Sequence, residues 1–207
     1  MLVKTPDWDI YPLFPTVVAA KILTEDLSEL ASIEATEYCK SAHSTAEGSR
    51  DLDLLKSYPQ TKNTILNHFD LFKNSILKLS NTEVAMTTSW STRTTIGHES
   101  QWHSHKNSWY SGVLYLETLV NGADIEFENP VMNLQSWSLP PTEWLSFNCE
   151  SHRITPEKNL LIFFPSYLRH RITLHQTAQP RYSVAFNMIP VGTFGKGDSS
   201  ISQLAVN

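Results

Sequence analysis

The clearest signal along the chain is a change of hydrophobic period near residue 81. Before it, apolar positions recur at helical steps. Ile65, Phe69, Phe72, Ile76 and Leu79 fall four and three apart and predict an amphipathic helix over about 61–79. Leu27, Leu30, Ala31 and Tyr38 recur in a similar way behind Thr24, a residue suited to capping. Glu25 and Asp26 then sit at the positive end of the dipole, so a first helix is expected over about 25–40. After residue 81, Val84, Met86, Thr88 and Trp90 alternate with Ala85, Thr87 and Ser89, the period of a half-buried strand. Further strands are predicted at 113–117, 123–128, 143–148, 153–155, 160–164, 171–174 and 182–189. Asn121-Gly122, between the first two of these, suits the positive φ angles of a tight hairpin. Upstream, residues 8–22 mix aromatic and β-branched residues with Pro12 and Pro15, which fits an edge strand or an extended lead-in.

Two helices followed by about eight short strands predict a mainly β fold, a sandwich or jelly roll with the helices packed on one side. The 207 residues suffice for a single domain. Its helical support would span 25–80 and its β core 82–190, with a Gly- and Ser-rich tail over 191–207. A composition of 41% hydrophobic and 18% charged residues excludes a disordered chain. The net charge of −5, with no Lys/Arg run, argues against a nucleic-acid or anionic-membrane surface. The longest apolar run, Leu160–Phe164, is far short of the ~20 residues of a membrane span. The N-terminal stretch carries acidic residues and prolines where a secretory signal needs an unbroken apolar core. Cys39 and Cys149 have no CxxC spacing and read as buried thiols in a reducing compartment. A cytoplasmic protein is expected, with its oligomeric state open.

Candidate chemistry concentrates in two stretches. In the first, residues 102–117, His103 and His105 lead into an apolar run, and in extended chain two such side chains point the same way. In the second, the buried strand Leu160–Phe164 ends at Pro165-Ser166, and a short turn delivers His170. A histidine so placed completes, with the pair, a three-ligand facial set for a metal ion. Arg181 and Ser183 share a strand face, where a guanidinium and a hydroxyl can hold one carboxylate. Asn107 and Tyr115 follow the pair closely enough to be candidates for the same cavity. His98 reads as a loop residue and His175 as structural. Trp90, Trp102, Trp109, Trp137 and Trp144 are core or cleft residues. There is no Gly-rich phosphate loop, no GxSxG elbow and no HExxH helix.

The order of these motifs resembles the Fe(II)/2-oxoglutarate-dependent oxygenases, in particular a group from marine bacteria and their phages. The matching pieces are an LFPT segment at Leu13–Thr16, the HxHxxSxxSGVLYL stretch from His103 to Leu116 and the F-x-N-P segment Phe127–Pro130. The FPSxLxHxI stretch from Phe164 to Ile172 and the RxSxxFN stretch from Arg181 to Asn187 complete the set. The resemblance implies a double-stranded β-helix, the cupin-like jelly roll, with Fe(II) held by His103 and His170. It implies 2-oxoglutarate held through its distal carboxylate by Arg181, helped by Ser183; beside it, Tyr110 or Tyr115 near the ligand strand is a candidate to hydrogen-bond the cosubstrate, and Asn107 to hold substrate or cosubstrate. The implied reaction uses O2, converts 2-oxoglutarate to succinate and CO2, and hydroxylates an unidentified primary substrate, a protein side chain or a small molecule. The family's usual pattern is HxD/E…H, and here His105 stands at the acidic position. Three readings follow. His105 is the third ligand; or it is not a ligand and the position is vacated; or a carboxylate elsewhere, such as Glu99 or Asp124, takes the place. Two other functions stay open on these residues: a tri-histidine cupin-like metalloenzyme that needs no oxoacid, and a noncatalytic jelly-roll module.

Overall fold

In the computed structural model the described residues are all but 1, 2, 5, 8, 12, 42, 43, 80, 132–139, 146, 147, 206 and 207. His43, Trp137, Pro12 and part of the strand expected at 143–148 therefore lie outside the described residues. In chain order the strands are β1 (Val3–Lys4), β2 (Asp9–Ile10), β3 (Ala19–Ile22), β4 (Tyr38–Lys40), β5 (Glu47–Ser49), β6 (Glu83–Thr94) and β7 (Tyr110–Tyr115). They continue with β8 (Ile125–Glu128), β9 (Ser151–Ile154), β10 (Leu160–Pro165), β11 (His170–Ile172), β12 (Arg181–Phe194) and β13 (Ile201–Leu204). One α-helix, α1 (Pro59–Phe72), precedes β6.

The main sheet runs β3-β10-β7-β12-β6-β5-β4, with β13 also paired to β12. A smaller sheet, β11-β8-β9, faces it. This is the mainly β jelly roll that the alternating pattern predicts, and residues 8–22 supply its edge strand β3, as expected. Two apolar layers flank the main sheet. One packs it against α1 through Ile65, Phe69, Phe72, Phe163, Phe186 and Met188. The other fills the space between the sheets with Val113, Tyr115, Ile125, Phe127, Ile162 and Phe164. Fully burying one such side chain contributes about 1.5–3 kcal/mol, so both layers hold the sheet in place.

Several expectations are corrected. The helix expected at 25–40 is a 3-10 helix over Ser28–Ala35, followed by β4. Its buried residues, Leu30 and Ile33, are three apart, which suits the 3-10 period, and Asp26 rather than Thr24 accepts from the Ser28 N–H at 2.9 Å. The second helix is present, but its end is a π turn over Lys73–Leu77. The wider turn rotates Ile76 and Leu79 off the buried stripe, and both are exposed. Asn121 takes φ 57° and the Gly122 N–H donates to Leu119 O, so a turn forms there. It is not a hairpin, because β7 and β8 go to different sheets. The described part of 143–148 is a turn closed by Asn148 and Leu145. Beyond residue 190, β12 continues to Phe194 and β13 folds back against it.

One irregularity bears on the site. Thr88 pairs with Asn187 and Met86 with Met188, which leaves Thr87 as an extra residue in β6. Such a bulge reverses the alternation of facing. Val84 and Met86 therefore pack on the helix side, while Thr88, Trp90 and Thr92 line a cavity on the other. The single continuous face expected from Val84 to Trp90 is cut at the bulge.

Candidate functional site: a three-histidine cluster

His103 and His105 lie in the segment just before β7 rather than on the strand itself. His103 forms an isolated bridge to His170, the first residue of β11, with N–H···O bonds of 3.0 and 2.9 Å in the two directions. The main chain thus clamps the first histidine stretch to the second. The His105 N–H donates to Ser166 O at 2.9 Å, so the Pro165-Ser166 turn holds the second histidine as well. The ring centroids are separated by 4.4 Å (His103–His170), 5.1 Å (His105–His170) and 5.6 Å (His103–His105). One ring nitrogen of each residue lies within 4.8 Å of the others. Among the described residues no carboxylate joins this group. Glu99 and Asp124 line a separate polar groove instead.

The tautomers follow from the partners. His103 Nδ1 lies 2.8 Å from Gln101 O, and His170 Nδ1 lies 3.0 Å from Leu168 O. A carbonyl oxygen only accepts, so each Nδ1 carries the proton and each Nε2 keeps its lone pair for ligation. His105 Nδ1 lies 2.6 Å from Asn187 Oδ1, with the same result. Burial pushes the His170 imidazole down to about 3, with the neighbouring His103 and His105 acting in the same direction. Burial, partly opposed by the hydrogen bond to Asn187, also holds His105 below the ordinary histidine value. Burial thus favours the neutral form of His105 and His170, the state that a metal ion requires of its imidazole ligands.

The same cavity, about 500 Å³, extends from this cluster to Arg181. Arg181, Ser183 and Ala185 reach it from β12, Val113 and Tyr115 from β7, and Trp90 and Thr92 from β6. Arg181 is 2% exposed and makes no ion pair with a described carboxylate. Its guanidinium donates to Ala123 O and to Thr94 Oγ1 (3.5 Å) and sits 5.1 Å over the Tyr115 ring. Its Nε and the Tyr115 hydroxyl are buried among the described residues with no hydrogen-bond partner. Burial pushes the Tyr115 phenol up to about 12, so it stays a donor, and burial also lowers Arg181 below its ordinary value. A buried cation with orphaned donors beside it is an anion site waiting for an acceptor.

Of the residues picked out in the sequence, His103, His105, His170, Arg181, Ser183 and Tyr115 all line this cavity. Asn107 does not and is corrected. It is exposed, and its φ of 55° serves the turn into β7, a conformation that asparagine tolerates. His175 is buried and structural: its Nε2 lies 2.9 Å from Gln179 O and its Nδ1 accepts from the Ala123 N–H. Of the tryptophans, Trp90 faces the cavity, Trp109 packs in the helix-side core and Trp144 is exposed. Sequence reading missed Asn187. The signal was there, since it lies on the same two-residue period as Arg181 and Ser183.

Iron fits this donor set, since imidazole suits it and each ring directs one nitrogen into the group. The anion site fits a dicarboxylate cosubstrate. Residues 88–187 match the family model described as "Putative 2OG-Fe(II) oxygenase". The matched segment, which holds the three histidines and Arg181, is thus similar to the 2OG-Fe(II) oxygenases. Solved structures share the fold. An oxidoreductase of the 2OG-Fe(II) oxygenase family from Burkholderia pseudomallei is 14% identical with TM-score 0.57, covering 84% of each chain. HygX from Streptomyces hygroscopicus, solved with nickel, 2-oxoglutarate and hygromycin B, is 11% identical with TM-score 0.59, over 84% of this chain and 83% of that one. A prolyl-4-hydroxylase from Pseudomonas putida is 14% identical with TM-score 0.57, over 83% and 92%. No curated protein sequence matches the chain. Among the described residues no helix is long and apolar enough to cross a membrane.

Proposed function

We propose that His103, His105 and His170 hold Fe(II) through their Nε2 atoms and that Arg181 binds the distal carboxylate of 2-oxoglutarate. In this reading Ser183 and the Tyr115 hydroxyl donate to the same carboxylate. The bound ion and cosubstrate supply the oxidising chemistry, in which O2 turns 2-oxoglutarate into succinate and CO2 and a C–H bond of the primary substrate is hydroxylated. The chain's own residues fix geometry and charge. The backbone clamp between His103 and His170 sets the ligand positions. Arg181 sets the direction of the oxoacid, and the apolar walls from Val113, Ile125 and Phe164 keep water from competing. The primary substrate, a protein side chain or a small molecule, enters past Trp90 and Thr92.

A single observation carries the reading: Arg181, buried with no ion pair to a described carboxylate, opens onto the cavity that holds the three histidines. The nickel and 2-oxoglutarate in the HygX structure support the pairing of a metal with an oxoacid in this fold. Anaerobic titration with Fe(II) and then 2-oxoglutarate tests it. The expected result is a weak visible charge-transfer band that needs both additions, and succinate once air is admitted. A protein that takes up iron but gives neither band nor succinate would refute the oxoacid role.

A further inference from the structure

The histidine at the family's acidic position has a requirement that a carboxylate would not have, because its proton must be kept off the ligating nitrogen. His103 and His170 meet this requirement with main-chain carbonyls two residues before each, Gln101 O and Leu168 O. His105 meets it with a side chain from another strand. We propose that Asn187 on β12 is the positioning residue that makes His105 a metal ligand, by accepting the Nδ1 proton and so directing the Nε2 lone pair toward the ion. The inference rests on the iron-binding reading above.

Four observations carry it. Asn187 Oδ1 lies 2.6 Å from His105 Nδ1, and Asn187 Nδ2 donates to Thr88 Oγ1 at 3.0 Å, which holds the amide in the orientation that presents its oxygen. Ser111 Oγ lies 2.9 Å from the same Nδ1 and 2.7 Å from Asn187 Oδ1. Ser111 Oγ also lies 2.8 Å from Ser166 Oγ, which donates to Ser108 Oγ at 2.9 Å, and Ser108 donates to the carbonyls of Met188 and Tyr110. Ser111 donates to Asn187 Oδ1 and Ser166 to Ser108, so both oxygens that face His105 Nδ1, those of Ser111 and Asn187, are acceptors there and the ring nitrogen carries the proton. Ser111 and Ser166 are fully buried, so no exposed hydroxyl competes from that side. Finally, Asn187 shares with Arg181, Ser183 and Ala185 the β12 face toward the cavity, opposite Ser111 on β7 and Thr88 on β6. One strand therefore carries the oxoacid's counter-ion at one end and the support of the third ligand at the other.

The test compares N187L and N187D with the wild-type protein, using Co(II) alone, without 2-oxoglutarate. Outer hydrogen-bond partners of ligating histidines typically change metal affinity by about 10–100-fold. Leucine has nearly the same shape but accepts no proton, so N187L should lose affinity within that range. N187D, which still accepts, should stay within a few-fold of wild type. In the metal-free wild-type protein, nitrogen-15 NMR of His105 should show the proton on Nδ1, and in N187L it should move to Nε2 in part or in full. Wild-type Co(II) affinity in a folded N187L would overturn this inference alone. Failure of the wild-type protein to bind Co(II) would remove the iron-binding reading and the inference with it. Should N187L not fold, an Nε2–H tautomer in the wild-type protein would overturn it equally.

Discussion

Arg181→Met separates binding from stability at one residue. In the metal-free protein the guanidinium has lost most of its hydration, which costs several kcal/mol. Against this stand a hydrogen bond to Ala123 O, a long one to Thr94 Oγ1 and the Tyr115 ring face. A hydrogen bond involving a charged group contributes about 1.5–3 kcal/mol, and a desolvated cation–π contact about 2 kcal/mol. The two sides nearly cancel. Methionine removes both the stranded charge and its partial compensation, leaving Ala123 O unpaired at about 1–3 kcal/mol. The unfolding free energy of R181M without ligands should therefore lie within about 2 kcal/mol of wild type, read as a small change of urea midpoint at unchanged slope.

Binding should respond very differently. Removing one partner of a buried ion pair costs about 3–5 kcal/mol, which corresponds to a loss of about 10²- to 10³-fold or more in 2-oxoglutarate affinity. With metal present and 2-oxoglutarate at 100 times the wild-type Kd, the wild-type protein should gain about 2.7 kcal/mol of stability and R181M almost none. Calorimetry under anaerobic conditions reads the affinity and urea unfolding the rest. A large loss of ligand-free stability combined with unchanged 2-oxoglutarate binding would refute the assignment, since Arg181 would then be a structural cation.

Three other outcomes follow from the same geometry. A Cβ at Gly112 would stand 2.4 Å from Phe186 Cζ and 2.7 Å from Ile162 O; since the second is backbone, Gly112→Ala should cost about 1–3 kcal/mol in urea unfolding, and a neutral result would show that the sheet can shift. With the His170 pKa pushed down to about 3 in the folded state and near 6.5 in the unfolded one, the unfolded chain binds the extra proton between these values, so metal-free stability should fall as pH drops through that window. This one group should contribute about 1.4 kcal/mol per pH unit, a slope that His170→Gln should flatten and that an unchanged profile would deny. No acidic side chain lines the cavity among the described residues; Glu117 and Asp124 act on Arg181 only from outside it, so a bound iron ion and Arg181 would share no anion within the cavity until 2-oxoglutarate arrives. Metal and 2-oxoglutarate should accordingly each tighten the other's binding by the same factor, and independent affinities would contradict the charge argument.

The β core was legible because β12 writes a two-residue period into the chain, as β6 does on either side of its bulge, while β10 shows as a continuous apolar run buried on both faces. The errors arose where local chemistry was read without its tertiary partner. Thr24 with Glu25 and Asp26 looks like a helix start, yet only Leu30 and Ile33 find a core, and the chain then turns extended to pair with β5. Asn121-Gly122 does make a turn, but no local signal tells whether the strands on either side pair or part. At the site, the structure brings three histidines together from segments 65 residues apart because the His103–His170 bridge and the Pro165-Ser166 turn are main-chain features. Asn107 was misplaced because its left-handed backbone breaks the alternation that would have aimed it inward.

The two faces of β12 explain why so much of the site could be read from one motif. Residues Tyr182, Val184, Phe186 and Met188 belong to the helix-side core, while Arg181, Ser183, Ala185 and Asn187 turn the other way. Because the strand sits between β7 and β6, its core-facing side chains fix its depth and register against both neighbours. The polar face has no freedom of its own: with the backbone of β12 fixed by Tyr182, Val184, Phe186 and Met188, the main-chain positions of Arg181 and Asn187 keep a set spacing. The extra residue at Thr87 matters for the same reason. Were Thr87 paired regularly, Met86 would fall on the cavity side beside Thr88, and the apolar patch would occupy the space next to Asn187. The bulge thus ends the core on β6 at the level where the cavity on β12 begins, and it lets one pair of strands serve as both the packed centre of the fold and the wall of the site.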